Sequence, residues 1–132
     1  MIEGGCLCGG IRFAVSEPVA GIVLCHCSLC RKSNGTGGLA TIPVPPERFR
    51  WIAGEDLVAI YERPSGYGVS FCRVCGSPAP DSNRARTRYA IPAGLFDGDP
   101  PLAVVEHIFV GSKAQWVKIA DDAPAFEEFP PE

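Results

Sequence analysis

The chain has no apolar run long enough to cross a bilayer. Its longest clearly apolar stretch, around Val19 to Cys25, falls far short of the roughly 20 residues a spanning helix needs. The opening residues, Met1-Ile2-Glu3-Gly4-Gly5, have neither the basic region nor the apolar core of a secretory signal. A cytoplasmic location, where thiols stay reduced, is therefore expected, with no membrane partner. Positive charge is also scarce. Twelve Lys and Arg face fifteen Asp and Glu, for a net charge of −3 with the thiols neutral. Metal-bound thiolates would make the chain more acidic still. An acidic chain gains nothing from the counterion release that drives nucleic-acid binding, so DNA and RNA are excluded as first candidates. Charged residues amount to only 20% against 46% hydrophobic, which excludes general disorder. No internal repeat or linker is visible.

What remains is a chain of 132 residues, expected to be a single domain over 1–132, with 121–132 an acidic, proline-rich tail lying as an irregular strap. Fifteen glycines and thirteen prolines are spread along its length. That spacing disfavours long helices and favours short strands joined by turns. The fold class predicted is mainly β: a small single-domain fold of short antiparallel strands and hairpins with little helix. Ile11, Phe13 and Val15 alternate with Arg12 and Ala14, the pattern of a half-buried strand. Gly21 to Cys25 and Leu39 to Ile42 read as strands, the second broken by Pro43, Pro45 and Pro46. Ser28 is placed to cap a short helical turn that stops near Asn34-Gly35. Arg48 to Trp51 and Leu57 to Glu62 flank Ala53-Gly54-Glu55-Asp56 like the arms of a hairpin. Val69 to Cys72, Thr87 to Ile91 and Val104 to Val110 complete the set.

The seven cysteines fall into three clusters: Cys6 and Cys8 as C-x-C, Cys25, Cys27 and Cys30 as C-x-C-x-x-C, and Cys72 and Cys75 as C-x-x-C before Gly76. A disulfide framework suits a secreted chain with an even count, and neither condition holds. A thioredoxin-like pair at Cys72 and Cys75 needs a helix after its first cysteine, but Gly76, Pro78 and Pro80 follow instead. Zinc accounts for the pattern, since it takes thiolates tetrahedrally and a C-x-x-C turn presents two sulfurs to one ion. Gly76 permits the tight backbone such a knuckle needs.

Seven thiols divide as four plus three, which predicts two zinc ions per chain. Cys25, Cys27 and Cys30 are close enough in sequence for one turn to aim all three at a single ion. The fourth position would be open, as catalytic zinc requires. Cys6 and Cys8 would then meet Cys72 and Cys75 in a closed structural site, whose binding energy is also folding energy. The rival division has one four-thiolate site and three spectator thiols, which would be prone to oxidation.

The stretches GGCLCGGIRF from Gly4, CHCSLCRKS from Cys25, FCRVCGS from Phe71 and HIFVGSKAQW from His107 resemble the glutathione-dependent formaldehyde-activating enzyme family, which also includes centromere protein V. The resemblance spans nearly the whole chain. It implies a mainly β fold with two zinc ions. It matches Cys6, Cys8, Cys72 and Cys75 to the family's structural site, and Cys25, Cys27 and Cys30 to its catalytic one. It further implies a zinc-dependent carbon–sulfur lyase joining glutathione to formaldehyde, as S-(hydroxymethyl)glutathione synthase does. Membership alone does not fix the substrate. The alternative is a non-catalytic zinc-binding module for protein interaction, and the open tripod separates the two, since a pure scaffold has no use for an unsaturated ion. Deaminase chemistry is excluded, because no glutamate follows His26 in the H-x-E manner and Phe71, not proline, precedes the knuckle.

Further candidates are basic. Arg31 and Lys32 follow the tripod directly and could take the carboxylates of glutathione. Arg84, Arg86 and Arg88 are spaced by two and would share one face of a strand, as an anion pocket or as a solvated face. His26 lies between two ligands, with its side chain expected to point away from that metal. His107 is expected to be structural, and Trp116 core or pocket wall.

Overall fold

Short stretches, many of them rich in β-branched and aromatic residues, become strands of two to six residues in the computed structural model. The structure describes residues 1–82 and 86–131. Among the described residues the elements are, in chain order, β1 (Ile2–Gly5), β2 (Arg12–Val15), β3 (Ile22–Cys25), α1 (Ser28–Asn34), β4 (Leu39–Val44), β5 (Phe49–Ala53), β6 (Val58–Glu62), β7 (Gly68–Cys72), β8 (Asp81–Ser82), β9 (Tyr89–Pro92) and β10 (Val104–Ile108), with four 3-10 turns. The mainly β class is as expected. Among the described residues no helix is long and apolar enough to cross a membrane.

The chain forms two compact units, Met1–Ala20 with Ile42–Pro101, and Gly21–Thr41 with Leu102–Glu132. In the first unit β2 is the centre of an antiparallel sheet ordered β1-β2-β5. Phe13 and Val15 of β2, with Ile11 just before it, carry the core and are fully buried. The Phe13 ring stacks on Phe49 at 5.8 Å and meets the edge of Phe96 at 5.6 Å. Phe49 in turn stacks on Tyr89 at 4.0 Å. Each such pair contributes about 0.5–1.5 kcal/mol beyond the area it buries.

The expected hairpin of β5 with β6 does not form. β5 pairs with β2, setting Trp51 opposite Phe13, while β6 pairs with β7 from Val58↔Cys72 to Glu62↔Gly68. Alternation identifies a strand but not its partner. Gly54, at φ +77°, turns the chain away instead. A Cβ there would strike the Gly10 carbonyl oxygen, so the turn needs glycine on two counts.

In the second unit β3 lies between β10 and β4. It runs antiparallel to β4 through Val23↔Thr41, Leu24↔Ala40 and Cys25↔Leu39. It runs parallel to β10, with His107 opposite Leu24 and Ile108 opposite Cys25. That parallel pair is an exception to the antiparallel expectation. β4 also continues through Pro43, which lies beyond the residues paired with β3 and so breaks no bond of that ladder. The tail binds back along β10: the His107 N–H donates to the Pro124 carbonyl at 2.8 Å, and the Phe126 N–H donates to the His107 carbonyl at 2.9 Å.

Candidate metal centres

Two knuckles meet in the first unit. The first follows β1, where the Ile11 N–H donates to Cys6 Sγ at 3.2 Å and Gly9 turns at φ +79°. The second ends β7: the Gly76 N–H donates to the Cys72 carbonyl at 2.8 Å, with Gly76 at φ +77°. That left-handed turn is the role expected of this glycine. Ser77 ties the knuckles together. Its hydroxyl oxygen accepts the Leu7 N–H at 2.8 Å and lies 3.3 Å from Cys75 Sγ. Ser77 was not among the sequence candidates. Its signal was the serine closing FCRVCGS.

The sulfurs of Cys6, Cys8, Cys72 and Cys75 all lie within 4.8 Å of one another. Cys6 to Cys8 is 3.5 Å and Cys8 to Cys72 is 3.9 Å. Four sulfurs at tetrahedral zinc distance sit about 3.8 Å apart, so the donor set fits a zinc-sized ion. The charges fit as well. Cys75 is pulled down to about 5, chiefly by the Ser77 hydroxyl and then the Ser77 backbone. Against the pull of the Gly10 backbone, the thiols of Cys6, Cys75 and Cys72 help to push Cys8 up to about 11. Neighbouring thiols resist ionising together, and a dication removes that conflict. Cys72 is fully buried and packs with Ile11 and Ala79.

The second group lies in the other unit. Cys25 ends β3, Cys27 precedes α1, and Cys30 is on its first turn. Their sulfurs also lie within 4.8 Å of one another, and the group contains no fourth donor among the described residues. The expected cap, Ser28, is instead the first helical residue. Cys27 is the N-cap, and its sulfur accepts the Cys30 N–H at 3.3 Å. A thiolate at this position satisfies an otherwise unpaired helix N–H and sits favourably at the positive end of the helix. Gly35, at φ +72°, ends the helix as expected. Cys25 is pulled down to about 6, chiefly by the adjacent Cys30 thiol. A donor such as Cys25, whose thiol ionises near neutrality, suits zinc here too.

The basic candidates divide. Arg31 and Lys32 are carried by α1 with Cys30. Arg31 spends one N–H on the Ser112 carbonyl at 3.1 Å. Arg86 and Arg88 are not on a strand, as the spacing had suggested. They precede β9, and Arg86 turns at φ +55°. Arg84 lies outside the described residues. Arg86 lines a cavity of about 650 Å³ in the first unit with Trp51, Asp81 and Tyr89. Trp116 is not core, being 69% exposed, and its ring edge borders Gly37.

Both histidines are buried, His26 at 1% and His107 at 3% exposure. His26 Nε2 lies 2.9 Å from His107 Nδ1, and His107 Nε2 is 3.0 Å from both carboxylate oxygens of Asp121. Burial first, then the charges of His107 and Lys113, hold the His26 pKa below its ordinary value. The Ala123 N–H, followed by His107, holds the Asp121 carboxyl below its ordinary range.

Residues 1–112 match the model of the family described as glutathione-dependent formaldehyde-activating enzyme. A protein of Halomonas elongata named "Putative glutathione-dependent formaldehyde-activating enzyme" is 30% identical over 129 residues, covering 90% of this chain and 81% of the relative. A crystal structure of a Rhodobacter sphaeroides protein superposes with a TM-score of 0.61 at 22% identity, over 75% of this chain and 91% of that one. At that identity the likeness shows a shared fold.

Proposed function

The chain belongs to the glutathione-dependent formaldehyde-activating enzyme family, and from that premise we propose that it is a zinc-dependent enzyme of carbon–sulfur lyase type acting on adducts of a small thiol, glutathione first, with a carbonyl such as formaldehyde. The observation that carries this reading is the difference between the two sulfur groups. One has four thiols, and the other, at Cys25, Cys27 and Cys30, has three. Four thiols close a zinc site, whereas three leave room for a ligand. Zinc at Cys25, Cys27 and Cys30 would supply a fourth position suited to a soft thiolate, held deprotonated at neutral pH.

The chain's own residues supply the rest. The Cys30 N–H bond to Cys27 fixes one sulfur against the helix that carries another. The remaining N–H groups of Arg31, together with the exposed Lys32, offer cations to a ligand bearing carboxylates, and glutathione carries two. In the synthetic direction the thiolate sulfur bonds to the carbonyl carbon, the C=O π pair moves onto oxygen, and that oxygen takes up a proton equivalent to the one the thiol gave up. In the lyase direction the hydroxyl loses that proton, the C=O bond re-forms as the carbon–sulfur bond breaks, and the sulfur leaves as a thiolate. The other group, with Cys72 in the core, is read as structural.

The test is titration of the cobalt-substituted protein with glutathione and with S-methylglutathione. The second keeps both carboxylates but offers only a thioether. Glutathione should move the sulfur-to-metal charge-transfer band and release a proton, and S-methylglutathione should do neither. If the two bind alike and the band stays put, the sulfur is not anchored at this site, and the non-catalytic interaction module becomes the better reading.

A further inference from the structure

His26 hangs from the peptide between Cys25 and Cys27 and is almost wholly buried, yet its Nδ1 has no hydrogen-bond partner. Its other nitrogen faces His107 at 2.9 Å, and His107 faces Asp121 at 3.0 Å. The three side chains form one line that starts at the exposed carboxylate and ends at His26, the residue between Cys25 and Cys27 in the chain.

The direction of the hydrogen bonds along that line follows from chemistry. An ionised carboxylate can only accept, so His107 Nε2 carries a proton. With His107 neutral, its Nδ1 is a bare lone pair, so His26 Nε2 donates and His26 Nδ1 is bare. The opposite polarity needs a cation at His107 and leaves a buried N–H on His26 with no acceptor. An orphaned buried N–H is rare in native proteins, and Lys113 already adds positive charge nearby. The neutral arrangement is therefore favoured.

Asp121 is itself held in place. Its Oδ1 accepts the Ala123 N–H at 3.0 Å. The tail that carries it brackets His107 through bonds to Pro124 and Phe126. The family match ends at residue 112, so the terminal member of the line comes from a segment the family description does not reach.

We propose that Asp121 is a positioning residue for the tripod: acting through His107, it sets His26 as the Nε2–H tautomer and locks the ring on the peptide that joins Cys25 to Cys27. The inference rests on the tripod being a metal centre. The consequence is preorganisation. Two of the three sulfurs are held at a preset separation, which slows loss of the ion they share. Partners that orient metal ligands commonly change metal affinity by about 10- to 100-fold.

The experiment uses the zinc-loaded full chain. The protein has only two histidines, so long-range proton–nitrogen NMR assigns both rings without ambiguity. At neutral pH each should be protonated at Nε2 and bare at Nδ1. Asp121→Ala should let His107 sample the other tautomer and speed release of the tripod zinc to a chelator about tenfold. The four-thiolate zinc, in the other unit, should leave at its original rate. Asp121→Asn, whose carboxamide oxygen still accepts, should restore both tautomer and rate. A proton at Nδ1 of either ring in the parent protein overturns the proposal. So does an unchanged tripod rate in Asp121→Ala, an equal acceleration at both sites, or a failure of Asp121→Asn to restore. If the tripod holds no zinc at all, the functional reading falls too, and that shows as a missing ion before any variant is made.

Discussion

Cys27 Sγ accepts the backbone N–H of Cys30 at 3.3 Å, so one sulfur of the tripod caps the helix that carries another. The two roles can be separated. Serine is a good N-cap but a poor zinc ligand, and alanine is neither. Cys27→Ser and Cys27→Ala should both lower the zinc content from about two ions per chain to about one. Cys27→Ala should also lose about 0.5–2 kcal/mol of stability relative to Cys27→Ser. Elemental analysis with paired thermal melts checks both. If the parent protein carries one zinc or none when fresh and reduced, the two-site reading fails.

Cys72→Ser should be worse for folding than Cys27→Ser. Cys72 is fully buried against Ile11 and Ala79, with Trp51, Leu57 and Val58 around them. Losing its sulfur removes a metal bond and places a hydroxyl in an apolar cluster. Metal energy at a closed site is folding energy, so a loss of several kcal/mol is expected. Cys27→Ser melting below Cys72→Ser would reverse the assignment of structural and catalytic groups.

The grouping of the cysteines into a set of four and a set of three was legible because metal-ligand spacing is largely local. C-x-x-C followed by Gly76 reads as a knuckle whatever fold surrounds it, and the grouping of the thiols needed no tertiary information. The strands of β2, β3, β7 and β10 were legible for a similar local reason. Strand pairing was not. Nothing in Phe49 to Ala53 says that its partner is Arg12 to Val15 rather than Val58 to Glu62, because pairing depends on what the core places opposite. Spacing by two misled at Arg86 and Arg88, which lie outside a strand, with Arg86 in the left-handed region. The line from Asp121 to His26 was invisible for the strongest reason. Its members come from β10, the tail and the loop between β3 and α1, and the two histidines are 81 positions apart.

Asp81 gives a pH signature of opposite sign to the usual carboxylate. Burial holds its proton on, and the Ser70 hydroxyl, donating at 2.8 Å, offsets only part of that. Its folded pKa lies above its unfolded one. Folding is therefore disfavoured as pH rises through the interval between them, upward from about 4. Asp81→Asn keeps an oxygen for Ser70 and removes the charge. It should raise the melting midpoint slightly at pH 7, by about 1–3 °C, and lose that advantage near pH 3, where Asp81 is protonated in both states. A lower midpoint at pH 7 would show that the carboxylate has a cationic partner in the cavity.

Gly54→Ala should couple the turn to the four-thiolate site. Alanine at φ +77° costs roughly 1–2 kcal/mol in backbone strain alone. Its Cβ would also strike the Gly10 carbonyl oxygen. That contact is with backbone, so it cannot be relieved by turning a side chain. The chain at Gly10 must move, and Gly10 is two residues from Cys8, whose sulfur lies 3.9 Å from Cys72 Sγ. The variant should melt at a lower temperature and surrender the four-thiolate zinc to a chelator more readily. Zinc at Cys25, Cys27 and Cys30 should be released as in the parent protein, because those residues belong to the other unit. Release measured site by site is the check. Equal acceleration at both sites would mean that the strain spreads through the whole chain rather than into the knuckle.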